Sequence, residues 1–348
     1  MNVKLGILGF GGMGKWHEEN ARRVEQIEII ASCDIKEEKR KESEARGVKS
    51  YEFVDDFLAN SDINTVLITV PNHLHKEMAI KAARAGKNII CEKPAALNLK
   101  ELDEMTQVAK ENNVIFTVHQ NRRWDKDLQI VKKAYDEGML GEIYTIESKL
   151  HTANGRIHEW HLYKKYGGGM MYDWGVHLID QFLFMVDSKV ISVFADIKSI
   201  INDEVDDYFK IILKFENGIT AHAELGTYFL KYQPRWLVAG NRGTMVINTF
   251  ACDGEIMRTS QLLDKLPAAI AETEAGPTRQ FAPAPAGDLY SDPLPEVKTQ
   301  WTDFYKNFVQ VLNGKEELKI KIPEVRRVLA LMEAAFKSSE TNKSVEFE

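Results

Sequence analysis

The chain has 348 residues, a formal net charge of −7 and a sequence pI of about 5.8. This length is more than one hydrophobic core usually organises, so we expect two domains. The acidic balance shows no nucleic-acid footprint, no apolar stretch reaches membrane-spanning length, and the N-terminus begins with a strand pattern rather than a signal peptide. We therefore expect a cytoplasmic protein without a nucleic-acid or membrane partner.

The first third of the chain alternates between strand and helix patterns. Helical patterns lie near 13–24, 36–46, 73–85 and 98–111, and short apolar runs predict strands at 3–9, 27–33, 63–70, 87–91 and 114–119. Apolar strands that are buried on both faces and alternate with helices form parallel sheets. This part of the chain therefore predicts an α/β domain with a doubly wound parallel sheet.

A glycine-rich turn follows the first predicted strand and leads directly into a helix. Its residues are Gly9, Phe10, Gly11, Gly12, Met13 and Gly14. In such a turn the first glycine permits the tight bend, the second lets the backbone approach a pyrophosphate, and the third lets helix and strand pack closely. The free amides and the dipole of the helix N-terminus favour the anion. The turn therefore predicts a Rossmann-type dinucleotide-binding domain.

The choice of dinucleotide depends on Asp34, which stands at the end of the second predicted strand, 20 residues after Gly14. A carboxylate at this position accepts hydrogen bonds from ribose hydroxyls and repels a 2′-phosphate. NAD is therefore the expected cofactor and NADP the less favoured one. Lys36, Lys39 and Arg40 lie close by in the sequence and soften this preference.

The pattern changes after residue 121. Strand patterns now follow one another with few helices between them, which indicates a largely antiparallel open sheet. The predicted strands are 142–151, 190–200, 206–215, 219–228, 234–239 and 243–248, and the predicted helices are 125–138, 171–186, 297–313 and 323–339. An Ala- and Pro-rich excursion covers 264–296. We thus expect a Rossmann domain over 1–121 and an α+β domain over 122–348.

Two short segments carry candidate chemistry. Lys93 follows the fifth predicted strand within a Cys-Glu-Lys-Pro sequence, at the carboxyl edge where ligands of open α/β sheets bind. Asp173 and His177 are four residues apart in a predicted helix, so they share one face and form a candidate proton-transfer pair. Taken separately, a surface lysine and a helix N-cap aspartate beside a core histidine explain these residues as well.

Together these motifs resemble the glucose–fructose oxidoreductase / inositol dehydrogenase / rhizopine-catabolism (Gfo/Idh/MocA) family. The resemblance rests on the glycine-rich turn, on Glu92-Lys93-Pro94 and on segment 173–177, and it extends over essentially the whole chain. Segments 70–75 and 119–125 look like two further family motifs. The resemblance implies oxidation or reduction of a sugar, cyclitol or related polyol with a nicotinamide cofactor. It also implies homodimers or homotetramers that pack through the second domain.

The resemblance further implies roles for individual residues. Lys93, Asp173 and His177 are expected to carry the chemistry and to contact the substrate. In an oxidation, His177 takes the alcohol proton, Asp173 holds the imidazole and stabilises its cation, and Lys93 stabilises the developing alkoxide. The roles of Lys93 and His177 remain exchangeable. Besides the glycine-rich turn, Asp34 and Lys93, the residues expected to line the nucleotide are Pro71, Asn72, His75, Glu92 and Gln120.

The loop before the predicted catalytic helix is the expected substrate-binding region. Its aromatic side chains can stack on sugar faces while its polar side chains bond hydroxyls, although ordinary loop packing accounts for any one of them equally well. The expected contacts are Arg123, from segment 119–125, and the loop residues Asn154, Arg156, Trp160, His161 and Tyr163. His158 and His161 lack a third ligand and the three cysteines lack metal spacing, so no metal is expected.

Two alternative functions stay open. An NAD-dependent glycoside-cleaving enzyme would work by transient oxidation of a sugar. A non-catalytic regulator would bind only nucleotide and a partner protein. The presence of Lys93, Asp173 and His177 weighs against the regulator, which has no use for proton-transfer groups.

Overall fold

A six-stranded sheet flanked by helices forms the first part of the fold. The computed structural model describes residues 2–155, 157–260, 270–279 and 288–347. The strands are β1 (Val3–Leu8), β2 (Ile27–Cys33), β3 (Lys49–Tyr51), β4 (Thr65–Ile68), β5 (Asn88–Cys91) and β6 (Phe116–Val118). The helices are α1 (Gly12–Ala21), α2 (Glu37–Ala45), α3 (Val54–Leu58), α4 (His75–Arg84) and α5 (Leu99–Glu111).

All six strands are parallel, in the order β3-β2-β1-β4-β5-β6, which confirms the doubly wound sheet. The central strands β1 and β4 are apolar and almost completely buried. The strand order reverses between them, and in such sheets ligands bind beyond the carboxyl ends of the strands at that point. Strand β3 and helix α3 were not predicted, because elements this short show no periodic pattern.

A nine-stranded mixed sheet forms the second part of the fold. Its strands, together with a separate hairpin of β14 and β15, are β7 (Ile143–His151), β8 (Val190–Lys198), β9 (Tyr208–Phe215), β10 (Thr220–Gly226), β11 (Trp236–Gly240), β12 (Gly243–Ile247), β13 (Gly254–Thr259), β14 (Ile270–Thr273), β15 (Gly276–Arg279), β16 (Leu289–Asp292) and β17 (Val345–Glu346). The sheet order is β16-β13-β12-β11-β7-β10-β9-β8-β17. Among the described strands of this sheet, β7 and β10 are parallel and all other neighbours are antiparallel, which confirms the largely antiparallel sheet.

Four helices complete the fold: α6 (Lys126–Asp136), α7 (Val176–Met185), α8 (Thr302–Leu312) and α9 (Ile322–Thr341). Helix α9 packs against both α7 and β8, so these helices cover one face of the second sheet. Helix α8 begins at Thr302, later than the predicted 297. Of the predicted excursion 264–296, segments 264–269 and 280–287 lie outside the described residues. No helix in the described part of the chain has the length and apolar character needed to cross a membrane.

The turn between β9 and β10 contains Asn217-Gly218, a pair that predicts a two-residue hairpin turn, but the turn observed is longer. Phe215 donates its amide to the carbonyl of Ile219, so three residues separate the paired ends of the hairpin. Only Gly218 among them has a positive φ, at +91°. The strands pair in the antiparallel direction that the Asn-Gly sequence predicted, but through a longer turn that needs one left-handed residue instead of two.

A buried ion pair holds the segment after β6 against the second sheet's helices. Arg123 donates two parallel hydrogen bonds to Asp180 of α7, at 2.9 and 2.7 Å, and a third to Glu324 of α9 at 2.7 Å. Arg123 and Asp180 are both buried. This bidentate pair therefore fixes the position of one segment against two helices.

We predict that Asp180→Ala lowers the free energy of unfolding by about 3–5 kcal/mol, because it leaves a buried guanidinium without its main partner. Urea unfolding followed by circular dichroism measures this loss. Lys41→Ala is the control, since it breaks an exposed pair with Glu37 and should change stability by less than about 0.5 kcal/mol. An Asp180→Ala protein that unfolds at the wild-type urea concentration would contradict the structural role.

Candidate active site

The glycine-rich turn lies in the crevice where the strand order reverses. Gly9 has a φ of +94° and donates its amide to the carbonyl of Cys33. A Cβ at Gly14 would clash with the carbonyl oxygen of Gly9, so the close contact between turn and helix requires glycine. Gly11 and Gly12 face open space, and no described side chain caps the N-terminus of α1. An open backbone beside an uncapped helix N-terminus fits the pyrophosphate of a dinucleotide.

Asp34 is held at the end of β2 by backbone amides on both sides. Its Oδ2 accepts the amide of Phe10 at 2.8 Å, and its Oδ1 accepts the amide of Lys36 at 2.9 Å. The ring of Phe10 is buried in the core, so Phe10 contributes to the turn through its backbone. Arg40 donates to the carbonyl of Asp34 and pairs with Glu52 at 3.2 Å. The carboxylate therefore has a fixed direction at the edge of the crevice.

Lys93 forms an ion pair across the boundary between the two sheets. Its Nζ donates to Oδ1 of Asp173 at 2.6 Å and to the main-chain carbonyl of Asp173 at 3.0 Å. The two side chains are 16% and 25% exposed, so the pair is shielded but still reachable. Burial raises the pKa of the Asp173 carboxyl, but the adjacent Lys93 outweighs burial and holds the pKa below its ordinary value. The Asp173 carboxylate is therefore ionised at neutral pH.

Asp173 lies in a single π-helical turn, Met171–Gly175, directly before α7. The turn is entered through Gly169, which has a φ of +100° and whose lack of a Cβ leaves room for the carboxylate of Asp206. Asp206 in turn accepts the amide of Met171 at 2.7 Å. These contacts anchor the start of the turn and so fix the position at which Asp173 contacts Lys93.

The predicted hydrogen-bonded pair of Asp173 and His177 does not form. The carboxylate of Asp173 is bonded to Lys93, and no hydrogen bond joins it to His177 in the described structure. The reason is the π-helical turn between them, because its extra residue rotates the following side chains away from the face expected for a regular α-helix. Asp173 therefore holds the lysine instead of the imidazole.

His177 is buried near the ion pair and is neutral at pH 7. Burial, followed by the charges of Lys93 and Arg122, holds the pKa of His177 well below its ordinary value, while the charge of Glu92 opposes them. The Trp174 ring packs edge-on against the imidazole at 5.8 Å between centroids. No hydrogen bond from the described residues occupies the ring nitrogens. A neutral imidazole with an unused nitrogen is suited to accept a proton.

Gln120 is a buried residue whose side-chain amide is left for a ligand. Neither its oxygen nor its nitrogen has a hydrogen-bond partner among the described residues. An unpaired buried amide costs free energy, so this orphan group fits a cofactor that supplies the missing partners. Met13 and Pro71 are partly or well exposed beside the same crevice, where they can line a nucleotide without offering a polar group.

Three other expected nucleotide contacts already have partners within the protein. Asn72 donates to the carbonyl of Gly167 at 2.8 Å, which spans the boundary between the sheets. The ring nitrogens of His75 lie 2.8 and 2.9 Å from two main-chain carbonyls, and burial lowers its pKa. Glu92 is buried and bonded to two histidines and to the amide of Lys93. These side chains shape the crevice from behind it.

The loop before the π-helical turn brings two expected substrate contacts near the ion pair. Trp160 stacks on His161 with 3.7 Å between ring centroids. Burial lowers the pKa of His161, Asp173 opposes that shift and Lys93 adds to it. Because both charges act on the imidazole, His161 lies close to the Lys93–Asp173 pair. The stacked rings therefore form one wall of the candidate substrate site.

Two of the remaining expected substrate contacts are exposed, and another is engaged in a buried ion pair. Asn154 is exposed, and Tyr163 is 43% exposed at the outer edge of the loop. Arg156 lies outside the described residues. Arg123 is buried in its ion pair with Asp180, and this pair leaves it no role as a substrate contact. That expectation is corrected, because the guanidinium is fully engaged with carboxylates and a carbonyl.

The neighbouring arginine, Arg122, is the residue that the sequence analysis missed. Its guanidinium lies 3.9 Å above the ring of Trp174 and 5.9 Å from the ring of Phe250. One of its nitrogens donates to Asp125 at 2.9 Å. The sequence does not show that Arg123 is the buried arginine and Arg122 the one in the site. That difference depends on the short 3₁₀ turn that carries both residues.

Two family models match this chain. Residues 3–120 match the family model described as oxidoreductase family, NAD-binding Rossmann fold, and residues 128–246 match the GFO/IDH/MocA C-terminal domain. The chain belongs to the GFO/IDH/MocA oxidoreductase family.

Three similar proteins illustrate its relationships within that family. The crystal structure of an NAD-binding protein from Listeria innocua is 40% identical, covers 100% of both chains and has a TM-score of 0.95. A myo-inositol 2-dehydrogenase of Thermotoga maritima is 24% identical over 99% of both chains. The NADP-dependent scyllo-inositol 2-dehydrogenase IolW of Bacillus subtilis is 26% identical over 99% of this chain and 96% of its own.

We predict that the protein loses stability steeply between pH 6.5 and 4. Burial, with a smaller effect of His119 and against the opposing effect of Glu92, lowers the pKa of His17 from 6.5 to about 4. Between pH 6.5 and 4, His17 is therefore protonated in the unfolded chain but neutral in the folded chain. This difference lowers the free energy of unfolding by about 3 kcal/mol as the pH falls to 4. His177 acts in the same direction.

Urea unfolding at pH 7.5, 6.5, 5.5 and 4.5 measures the fall. His177→Gln should flatten the pH dependence, because one buried histidine that resists protonation is removed. An unfolding free energy that is constant from pH 7 to 5 would contradict the neutral, buried state of these histidines.

Proposed function

We propose that this oxidoreductase is an NAD-dependent dehydrogenase that transfers a hydride between nicotinamide and a secondary alcohol of a sugar, sugar derivative or cyclitol. The observation that carries the proposal is the Lys93–Asp173 ion pair beside a neutral His177 at the ligand crevice of the first sheet. A cyclitol is favoured within this class because two relatives are inositol dehydrogenases.

The cofactor would supply the site of hydride transfer, and the chain supplies its position and the proton chemistry. The open backbone at Gly11 and Gly12 would hold the pyrophosphate, Asp34 the adenosine ribose and Gln120 a polar group of the cofactor. The backbone at Gly11 and Gly12 is unobstructed and the Gln120 amide is unpaired. Each oxygen of Asp34 accepts one backbone amide and keeps a further lone pair for a ribose hydroxyl. The residues present therefore fit a dinucleotide.

The division of work between Lys93 and His177 follows from their hydrogen bonds. An ammonium has three N–H donors, and Asp173 accepts two from Lys93, so one remains for the substrate oxygen. That donor and its charge stabilise alkoxide character as the alcohol is oxidised. His177 is neutral and takes the proton. Asp173 keeps the ammonium aimed at this oxygen.

The non-catalytic alternative gains no support from this geometry. A regulator that only binds nucleotide does not require a shielded ammonium–carboxylate pair or a buried histidine kept neutral beside it. Assembly into a homodimer or homotetramer, for which the second sheet is the expected contact, stays a proposal.

We predict that Lys93→Ala and His177→Ala each lower kcat about one hundred- to ten-thousandfold, because each removes a proton-transfer or charge-stabilising group. Release of NADH, followed by absorbance with myo-inositol, scyllo-inositol and a panel of free sugars, measures the loss. The exposed Lys100→Ala is the matched control and should retain wild-type turnover. NADH affinity, measured by fluorescence, should change little in all three variants. Full turnover by Lys93→Ala would refute the proposed chemistry.

We also predict that NAD is used in preference to NADP, because the fixed carboxylate of Asp34 repels a 2′-phosphate. Asp34→Ser should lower the ratio of kcat/KM for NAD to kcat/KM for NADP at least about tenfold, because it removes the negative charge that repels the 2′-phosphate. Glu37→Gln removes an exposed charge from α2 and should leave the ratio unchanged. The name of IolW gives NADP as its cofactor. If the wild-type protein also prefers NADP, the role given to Asp34 is wrong.

A further inference from the structure

A buried cluster of four polar side chains lies directly behind Lys93. Nε2 of His17 and Nδ1 of His119 lie 2.7 and 2.8 Å from the same oxygen of Glu92, and the hydroxyl of Tyr305 lies 2.7 Å from Nδ1 of His17. All four side chains are buried. They come from α1, from the ends of β5 and β6, and from α8, so the cluster joins four separate elements.

Counting donors and acceptors fixes where the protons lie. Glu92 is ionised, and a carboxylate only accepts hydrogen bonds, so the single proton of the neutral His17 ring lies on Nε2, which donates to Glu92. Nδ1 of His17 is then an acceptor, and the hydroxyl of Tyr305 donates to it. His119 donates from Nδ1 to the same oxygen.

Glu92 is a carboxylate that accepts hydrogen bonds at both of its oxygens. Burial raises its pKa, but the Coulombic interaction with His119 and the hydrogen bonds from His119 and His17 outweigh burial and hold the pKa well below its ordinary value. Its second oxygen accepts the backbone amide of Lys93 at 3.1 Å. The network that starts at Tyr305 thus ends on the main chain of the lysine proposed to act on the substrate.

The same three ligand atoms, within 4.8 Å of one another, have the grouping of a metal site. The N–O contacts of 2.7 and 2.8 Å argue against that interpretation. Two ligands at about 2.1 Å from a tetrahedral ion stand roughly 3.3 Å apart, whereas these distances are those of charge-assisted hydrogen bonds. The protons assigned above also occupy the positions where an ion would bind.

We propose that His17 and His119 are positioning residues, which hold the Glu92 carboxylate so that it fixes the backbone of Lys93 and, through α1, couples the cofactor turn to that lysine. This inference rests on the proposed function for the role of Lys93 in turnover, but the network itself is independent of it. His17 lies in the helix that begins at the glycine-rich turn, and its side chain bonds to Glu92, so this residue connects the helix of that turn to the support of Lys93.

Paired variants of the whole protein test the network. His119→Leu and His17→Leu remove the donors, whereas His119→Asn and His17→Gln place an amide N–H near Nδ1 and Nε2, respectively. We expect the leucine variants to lose roughly ten- to one hundredfold in kcat, as displaced catalytic groups do, with KM for NAD nearly unchanged. The amide variants should recover turnover to within about threefold of the wild type. Folded leucine variants with wild-type kcat would overturn the proposal, as would amide variants as slow as the leucine ones.

Two measurements do not depend on turnover. In 15N-histidine NMR spectra at pH 7, we expect His17 protonated on Nε2 alone and His119 carrying a proton on Nδ1. Hydrogen exchange at the Lys93 amide should be at least about tenfold faster in His119→Leu than in wild type and His119→Asn. If a leucine variant fails to fold, Tyr305→Phe, which keeps the ring and removes only the hydroxyl, takes its place. Glu92 should still hold the His17 proton on Nε2 in this variant, and a proton on Nδ1 instead would overturn the proposal.

These readouts separate the possible failures. If Lys93→Ala retains turnover while the tautomers and the amide exchange are as expected, the proposed function fails and the network stands. If zinc binds to the wild-type protein after chelator dialysis and the His119→Leu variant loses it, the cluster is a metal site and the proposal is wrong. A wild-type His17 tautomer with its proton on Nδ1, or Lys93 exchange that is equal in all variants, also overturns it.

Discussion

The ion pair between Lys93 and Asp173 is the constraint on which the rest of the site depends. Its partners come from different parts of the fold, one from the end of β5 and the other from the turn before α7. Asn72 and Tyr172 each donate a further hydrogen bond across the same boundary, at 2.8 and 3.0 Å. A bond of 2.6 Å between elements so far apart in sequence can persist only if both elements are held rigidly. The two sides of the pair are supported by different means.

On the side of Asp173 the support comes from unusual backbone. The π-helical turn is a conformation that costs free energy, and tertiary contacts must compensate for it. Gly169 supplies the positive φ with which the chain enters the turn. Asp206 supplies such a contact, and burial, against the opposing effect of backbone amides, raises its pKa to about 6. On the side of Lys93 the support is a buried carboxylate held by two histidines. Backbone shape fixes one partner and side-chain hydrogen bonds fix the other.

The sequence predicted the parts of this arrangement that depend on local physics. A glycine that bends a chain, a strand buried on both faces and an acid at the end of β2 are encoded within a few residues, and the model shows each of them. The pairing of Asp173 could not be predicted, because one extra residue in a helical turn changes which face a side chain occupies and leaves no trace in the spacing. Likewise Arg122 and Arg123 are adjacent, and only the packing of α7 and α9 decides which of them is buried. Tertiary packing therefore determines which side chains pair in the site, whereas the local sequence pattern determines the helices and strands.

The balance of charges explains why such partners matter. Lys93 and Arg122 bring two cations near His177, and Asp173 neutralises only the one to which it is bonded. With burial, these cations keep the imidazole neutral, so it stays a base at a pH where an exposed histidine would be partly protonated. The buried charge of Glu92 acts in the opposite direction: it raises the pKa of His177 and so offsets part of the lowering. A base that must accept a proton during the reaction and release it afterwards needs both influences. The carboxylate behind Lys93 thus serves the histidine through its field as well as the lysine through its hydrogen bond.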